Sequence, residues 1–294
     1  MASAMLGKMQ SGIYRFQLGQ FELTNIADGV AVRSGLHPAF GGTGPADQVH
    51  ELARANHIDP DKYEHPFIPT VVNTGKELVL FDTGFGAMRR ADGAGLLRAR
   101  LGEAGYKPED VDVVVFTHGH PDHVAGAMEA GQPAFPNARY VITAAEFDFW
   151  KRGENVREAR KATRELFVKV VVPLADKMTF IKPGDEVVSG IRAIDAAGHA
   201  PGMLAFHVES DGKQVLIWAD SALQYVMSLQ RPEWPVDVDD DKEKAIATRK
   251  RIYDMVATDK LCAVGYHMPF PGNGYVDRFQ GNYRWVPASY QFNI

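Results

Sequence analysis

The stretch Thr117-His118-Gly119-His120-Pro121-Asp122-His123 decides how this chain is read. It places three imidazoles and one carboxylate directly after the apolar run Val111–Phe116. A continuous apolar run without polar alternation predicts a strand buried on both faces. The four polar side chains therefore crowd a turn where a buried strand ends. Gly119 and Pro121 interrupt regular structure there, so side chains of one short loop can converge. Imidazole and carboxylate together suit zinc and neighbouring divalent metals. A histidine-rich surface turn is the bland alternative, and the density of ligand types behind a buried strand argues against it.

The same context recurs further along. His199 follows the strand pattern Ile191–Asp195, within Gly198-His199-Ala200-Pro201-Gly202. Asp220 ends the apolar run Val215-Leu216-Ile217-Trp218-Ala219, and His267 ends Leu261–Tyr266. Taken singly, each reads as a satisfied structural residue. Together they bring the number of candidate ligands to what two metal ions need. His37, His50, His57, His65 and His207 have no ligand spacing and are read as surface or core residues.

Around these positions the pattern mixes strands and helices. Residues 13–28 read as two strands joined near Gly19-Gln20, and Thr70–Asn73 with Glu77–Asp82 as a hairpin. Helix is expected over about 96–104, through most of 143–172, and over about 239–258. Short strands are expected at 178–181, 191–195, 203–208, 214–219 and 261–266. Sheets covered by helices follow from this mixture. Residues 31–66 stand apart as a long non-strand insertion with one helix starting at Pro45. Such a segment serves as a lid or a subunit contact, or is a well-packed surface loop. No linker divides the chain, so residues 1–294 read as one domain.

Composition excludes several classes. The 294 residues are 45% hydrophobic and 23% charged, with a formal net charge of −5. No long basic run suggests a nucleic-acid partner. No apolar run approaches the roughly 20 residues of a membrane helix. The N-terminal MASAMLGKMQSG lacks the apolar core of a signal peptide, which makes a cytoplasmic location the default expectation. The single cysteine, Cys262, excludes an intrachain disulfide and reads as a buried thiol.

The HxHxDH loop, followed by a lone histidine, a lone aspartate and a last histidine, resembles the metallo-β-lactamase superfamily. Asp82-Thr83-Gly84 resembles the aspartate-bearing turn upstream in that family. The resemblance implies an α/β fold, an αββα sandwich with the site at one edge. It implies that His118, His120 and His199 hold one metal, that Asp122, His123 and His267 hold the other, and that Asp220 bridges them. Asp82 is then expected behind the ligands, orienting their loop. Over about residues 14–292 the chain also looks like methyl parathion hydrolases, which sit near the N-acyl-homoserine lactonases. Tyr106-Lys107-Pro108-Glu109-Asp110-Val111-Asp112, Ala134-Phe135-Pro136-Asn137-Ala138, Phe149-Trp150 and Tyr283-Arg284-Trp285-Val286-Pro287 carry that likeness.

From this the expected function is a dinuclear-metal hydrolase acting on a lactone or related ester, an acyl-homoserine lactone among them. The metals are expected to be zinc, with manganese, iron or cobalt as alternatives. Asp122 is the expected catalytic carboxylate, orienting the attacking water and passing its proton to the leaving group. Trp150 and Phe167 match aromatics of the phosphotriesterase leaving-group pocket. Phe85, Tyr225 and Tyr266 are further pocket candidates. The third pocket aromatic has no equivalent here, which counts against efficient organophosphate hydrolysis. Leu223 stands where many lactonases have a tyrosine. Apolar residues of and beside the insertion (Leu36, Phe40, Phe67, Ile68) are expected to receive an acyl chain. The partner is a small molecule, with neither nucleic acid nor membrane, and the resemblance suggests a homodimer. The alternatives are an organophosphate triesterase, a non-catalytic metal-binding protein, and a di-iron redox protein.

Overall fold

Two seven-stranded sheets pack face to face in the computed structural model, which describes Met5 and residues 11–294. Most of the N-terminal stretch read for a leader lies outside the described residues. The first sheet runs edge to edge through Ile13–Leu18, Phe21–Ile26, Thr70–Asn73, Leu78–Phe81, Val113–Val115, Arg139–Thr143 and Met178–Ile181. The second runs through Glu186–Val188, Ile191–Asp195, Leu204–Ser210, Lys213–Ile217, Cys262–Val264, Asn273–Phe279 and Asn282–Pro287.

Side-chain alternation assigns each layer. In the all-valine strand Val113–Val115, Val113 and Val115 join Phe81, Phe206, Val215 and Ile217 between the sheets. Val114 points the other way, into a cluster with Leu97, Phe147, Trp150 and Phe167 from the covering helices. The second sheet turns Ala205, Leu216 and Ala263 outward onto Ile252, Tyr253 and Val256 of the helix Lys242–Asp259. The result is the αββα sandwich. Cys262 lies in the inter-sheet layer, where burial pushes its thiol up to about 12.

Where strands leave the sandwich at one edge, the expected elements hold with small shifts. The region 143–172 is two helices, Ala144–Arg152 and Lys161–Val170, parted at Gly153, whose φ of 74° ends the first. The hairpin Asn273–Phe279 with Asn282–Pro287 and the strand Glu186–Val188 were not expected. Their Asn, Asp, Glu and Arg content masks an edge-strand pattern.

The segment 31–66 is a larger correction, because it is not free of strands. Gly29–Ser34 pairs antiparallel with Lys62–Phe67 as a ribbon, and the helix Ala46–Ala55 follows Pro45 as expected. Leu36, Phe40, Val49 and Ala53 form a small core with Leu223, Val226 and Met227. Leu36, Phe40, Phe67 and Ile68, expected to receive an acyl chain, are all buried inside the protein. Among the described residues, no helix is long and apolar enough to cross a membrane.

Candidate metal centre

Every candidate ligand stands just beyond a strand end, at one edge of the sandwich. His118, His120, Asp122 and His123 follow Val113–Val115; His199, Asp220 and His267 follow Ile191–Asp195, Lys213–Ile217 and Cys262–Val264. Their side chains converge as two groups. Ligand atoms of His118, His120, His199 and Asp220 lie within 4.8 Å of one another, and so do those of Asp122, His123, Asp220 and His267. Asp220 belongs to both.

Within the first group, His118 Nε2 and His199 Nε2 lie 3.0 and 2.9 Å from His120 Nδ1. In the second, His267 Nε2 lies 3.1 Å from Asp220 Oδ2 and 3.5 Å from Asp122 Oδ2. His123 Nε2 lies 3.3 Å from Asp122 Oδ2 and 3.2 Å from Asp220 Oδ1. His123 Nε2 and Asp220 Oδ1 are nevertheless buried without a hydrogen bond among the described residues. Buried polar atoms aimed at one point without partners fit a cation between them.

The outer nitrogens support the same fit. His123 Nδ1 meets Asp82 Oδ2 at 2.8 Å, and His199 Nδ1 meets Asp239 Oδ1 at 2.9 Å. His267 Nδ1 meets the Pro66 carbonyl at 2.8 Å, which can only accept. Thr117 donates its hydroxyl hydrogen to Asp82, so its oxygen accepts from His118 Nδ1 at 3.1 Å. These outer contacts leave the Nε2 of four imidazoles facing inward, the nitrogen that binds a metal once it has given up its proton. Burial holds His118 and His120 well below the usual imidazole range, hence neutral. Burial opposes charge at His123 as well, but Asp220, Asp122 and Asp82 override it and hold that imidazole well above the usual range.

The backing residues explain how the loops are held. Asp82 accepts from the Thr117 backbone at 2.8 Å and from its hydroxyl at 2.9 Å, besides bonding His123. Its own φ is +62°, and that of Ala219, just before Asp220, is +49°. Such left-handed backbone costs about 1–2 kcal/mol per non-glycine residue and is kept where surrounding contacts demand it.

Three carboxylates of this scaffold escaped the sequence reading. Glu146 accepts from Gly119 N at 2.8 Å, Gly202 N at 2.7 Å and Trp150 Nε1 at 2.6 Å, tying the loops of His120 and His199 together. Its sequence signal, Thr143-Ala144-Ala145-Glu146, has capping-box spacing, and the Thr143 hydroxyl does accept from Glu146 N. Asp239 supports His199 and is paired with Arg249, but in the sequence it sits in an acidic run that reads as solvated. Asp28 accepts from Phe85 N, Gly95 N and Leu97 N and shapes the loop after Asp82, with no local signal at all.

The expected pocket residues divide. Trp150 and Phe167 are wholly buried in the helix-covered core, not exposed to a substrate pocket as expected. They pack behind the loop instead: a Cβ on Gly119 would come within 2.4 Å of Trp150 Nε1, so only glycine permits this approach. Phe85 is buried against Phe67 and Tyr266. Tyr266 donates its hydroxyl to the Asp122 carbonyl at 2.5 Å and covers His123 with its ring, centroids 4.0 Å apart. Tyr225 lines a cavity of about 360 Å³, shared with His65, His267, Leu223, Gln224 and Ile58, while Tyr266 borders only a small void of about 10 Å³ beside Asp82 and Ala219. His65, read as unremarkable in sequence, is buried and stacked on His267.

A family model described as the metallo-beta-lactamase superfamily matches residues 69–255. The N-acyl homoserine lactonase of Bacillus cereus is 28% identical over 160 residues, 54% of this chain and 57% of the relative. The chain thus spans little more than half the length of the curated relatives it matches. Among solved structures, AidC, a dizinc quorum-quenching lactonase in complex with a product, N-hexanoyl-L-homoserine, is 25% identical. Its TM-score is 0.88, covering 95% of this chain and 98% of that one. AbOPH, a hydrolase in the β-lactamase superfamily, is 29% identical with a TM-score of 0.87, covering 95% and 98%.

Proposed function

The chain belongs to the metallo-β-lactamase superfamily, and from that premise we propose that it is a dinuclear-metal hydrolase opening a lactone or cleaving a related ester, with N-acyl homoserine lactones as the first substrates to try. One observation carries the reading: two metal-holding groups share Asp220 and adjoin, through His267, a cavity with an apolar wall. The likeness to AidC along nearly the whole chain supports the lactone among possible esters.

In this reading His118, His120 and His199 hold one ion, Asp122, His123 and His267 the other, and Asp220 reaches both. When bound, two divalent cations supply an acidified water and positive charge for the carbonyl oxygen under attack. Asp122 has the role of holding and moving the proton. Its side chain is 17% exposed, whereas those of His123, Asp220 and His267 are 3% or less. His123 and His267 draw its carboxyl below the usual carboxylate range against the opposing effect of burial, so it is ionised and able to accept. Tyr266 fixes the Asp122 backbone while that side chain works. Substrate enters by the cavity, with Leu223 and Ile58 against its chain and Tyr225 near its polar end.

The organophosphate reading loses its leaving-group pocket, since Trp150 and Phe167 are core residues here. Proton release from N-hexanoyl homoserine lactone by zinc-loaded protein tests the proposal, with His120→Ala as control. Turnover that disappears in the control is expected. No turnover by protein verified to hold two metals would falsify the lactonase reading.

A further inference from the structure

His65 is a buried polar side chain outside the ligand set. It lies on the ribbon strand Lys62–Phe67, and its ring stacks on that of His267, centroids 4.1 Å apart and planes 18° from parallel. Tyr63 and Phe67 meet it edge to face. No hydrogen bond from the protein to either ring nitrogen is found among the described residues, and neither nitrogen is among the side-chain atoms sealed from solvent without a partner. His118, His123, His199 and His267, by contrast, each direct their outer nitrogen to an acceptor. An aromatic hydrocarbon would fill the same stack with no polar group to satisfy. An imidazole on a cavity wall, with no hydrogen-bond partner in the protein, is free to take one that arrives with a ligand. It lines the cavity that His267, Gln224 and Tyr225 also line.

We infer that His65 is a specificity-determining residue whose ring N–H donates a hydrogen bond to the carbonyl oxygen of an acylamino group borne on the carbon next to the substrate's scissile carbonyl. The inference rests on the lactonase reading above. Its geometry is short-range. His267 belongs to the group over which the scissile carbonyl must sit, and His65 is one ring stack further along the cavity wall. Substrate atoms about four bonds beyond the carbonyl carbon, where the oxygen of an acylated amine lies, come within its reach. An imidazole offers at least one N–H in any protonation state. An acylated amine at that carbon answers it with a carbonyl oxygen, whereas an alkyl chain leaves it unanswered. The site therefore selects α-acylamino lactones over plain alkyl lactones, because a site built to hydrogen-bond a substrate group rejects the analogue lacking it.

A matched pair of substrates tests this: N-hexanoyl homoserine lactone, and α-heptyl-γ-butyrolactone, in which methylenes replace the amide. Zinc-loaded wild type, His65→Phe and His65→Gln are compared for kcat, KM and zinc per chain. Phenylalanine keeps the stack without a donor, and glutamine restores a donor. In His65→Phe, kcat/KM for the amide substrate should fall about tenfold further than for the alkyl lactone, chiefly through KM, the size expected for one lost hydrogen bond. His65→Gln should recover part of the preference. An equal fall for both substrates, or zinc lost from His65→Phe, overturns the inference and makes His65 a support for His267, with the lactonase reading intact. Wild type that opens neither lactone overturns that reading, and the inference falls with it.

Discussion

The two halves of the centre are braced by different means. Behind His199 stands Asp239, itself paired with buried Arg249, and Glu146 locks the loops of His120 and His199 together with three hydrogen bonds. That half is clamped by charge from inside the sandwich. The other half rests on Asp82 behind His123 and, behind His267, on a single backbone carbonyl, that of Pro66 in the ribbon Lys62–Phe67. The cavity adjoins this second half. A holder and a working face can thus share one carboxylate: rigidity comes from buried charge on one side, and access comes from a lighter attachment on the other.

Three substitutions break or sharpen that contrast. Asp220→Ala removes the group common to both halves. Bound zinc, measured by elemental analysis, should fall below two per chain, and turnover by a factor on the order of 10³ or more. Retention of two ions with high turnover would show that the halves are independent. Asp122→Asn touches only the working face. Turnover should drop about 10²–10⁴-fold, the range for a lost proton-transfer group, in protein whose zinc content stays near wild type. Near-normal turnover would remove Asp122 from the chemistry. Glu146→Gln acts only on the holder. The glutamine amide hydrogens would face N–H donors where a carboxylate oxygen accepted them, costing about 1–3 kcal/mol. Calorimetry of the metal-free protein should show a melting temperature several degrees lower, at roughly 2–4 °C per kcal/mol. No change in melting would mean that Glu146 is not the tie between the loops.

How much of this was legible in the sequence depended on whether the signal was local. The metal loop, His199, Asp220 and His267 were readable because each follows an apolar strand, and strand ends are encoded by neighbouring residues. Pairing of the early strands was readable for the same reason: Gly19-Gln20 and Thr74-Gly75 mark their turns. Trp150 and Phe167 misled, since helix aromatics carry the same pattern whether they face a pocket or a core. Here the close approach of Gly119 puts them behind the loop. Glu146 and Asp239 looked like ordinary surface acids until the loops they hold were brought to them. The 31–66 segment hid its ribbon because its two strands lie far apart in sequence and each is half polar.

The sequence by itself determined the mixture of strands and helices and the candidate ligand types at strand ends, consequences of short-range periodicity and turn chemistry, and the resemblance of its metal motif implied the family and the layered fold. Only the tertiary structure decided which ligands meet. His199 reaches His120 across 79 positions, and His267 reaches Asp220 across 47. It alone also placed His65 on His267, and Pro66 behind it. These contacts depend on the packing of two sheets and a ribbon, a long-range balance of burial and hydrogen bonding that no local window of residues contains.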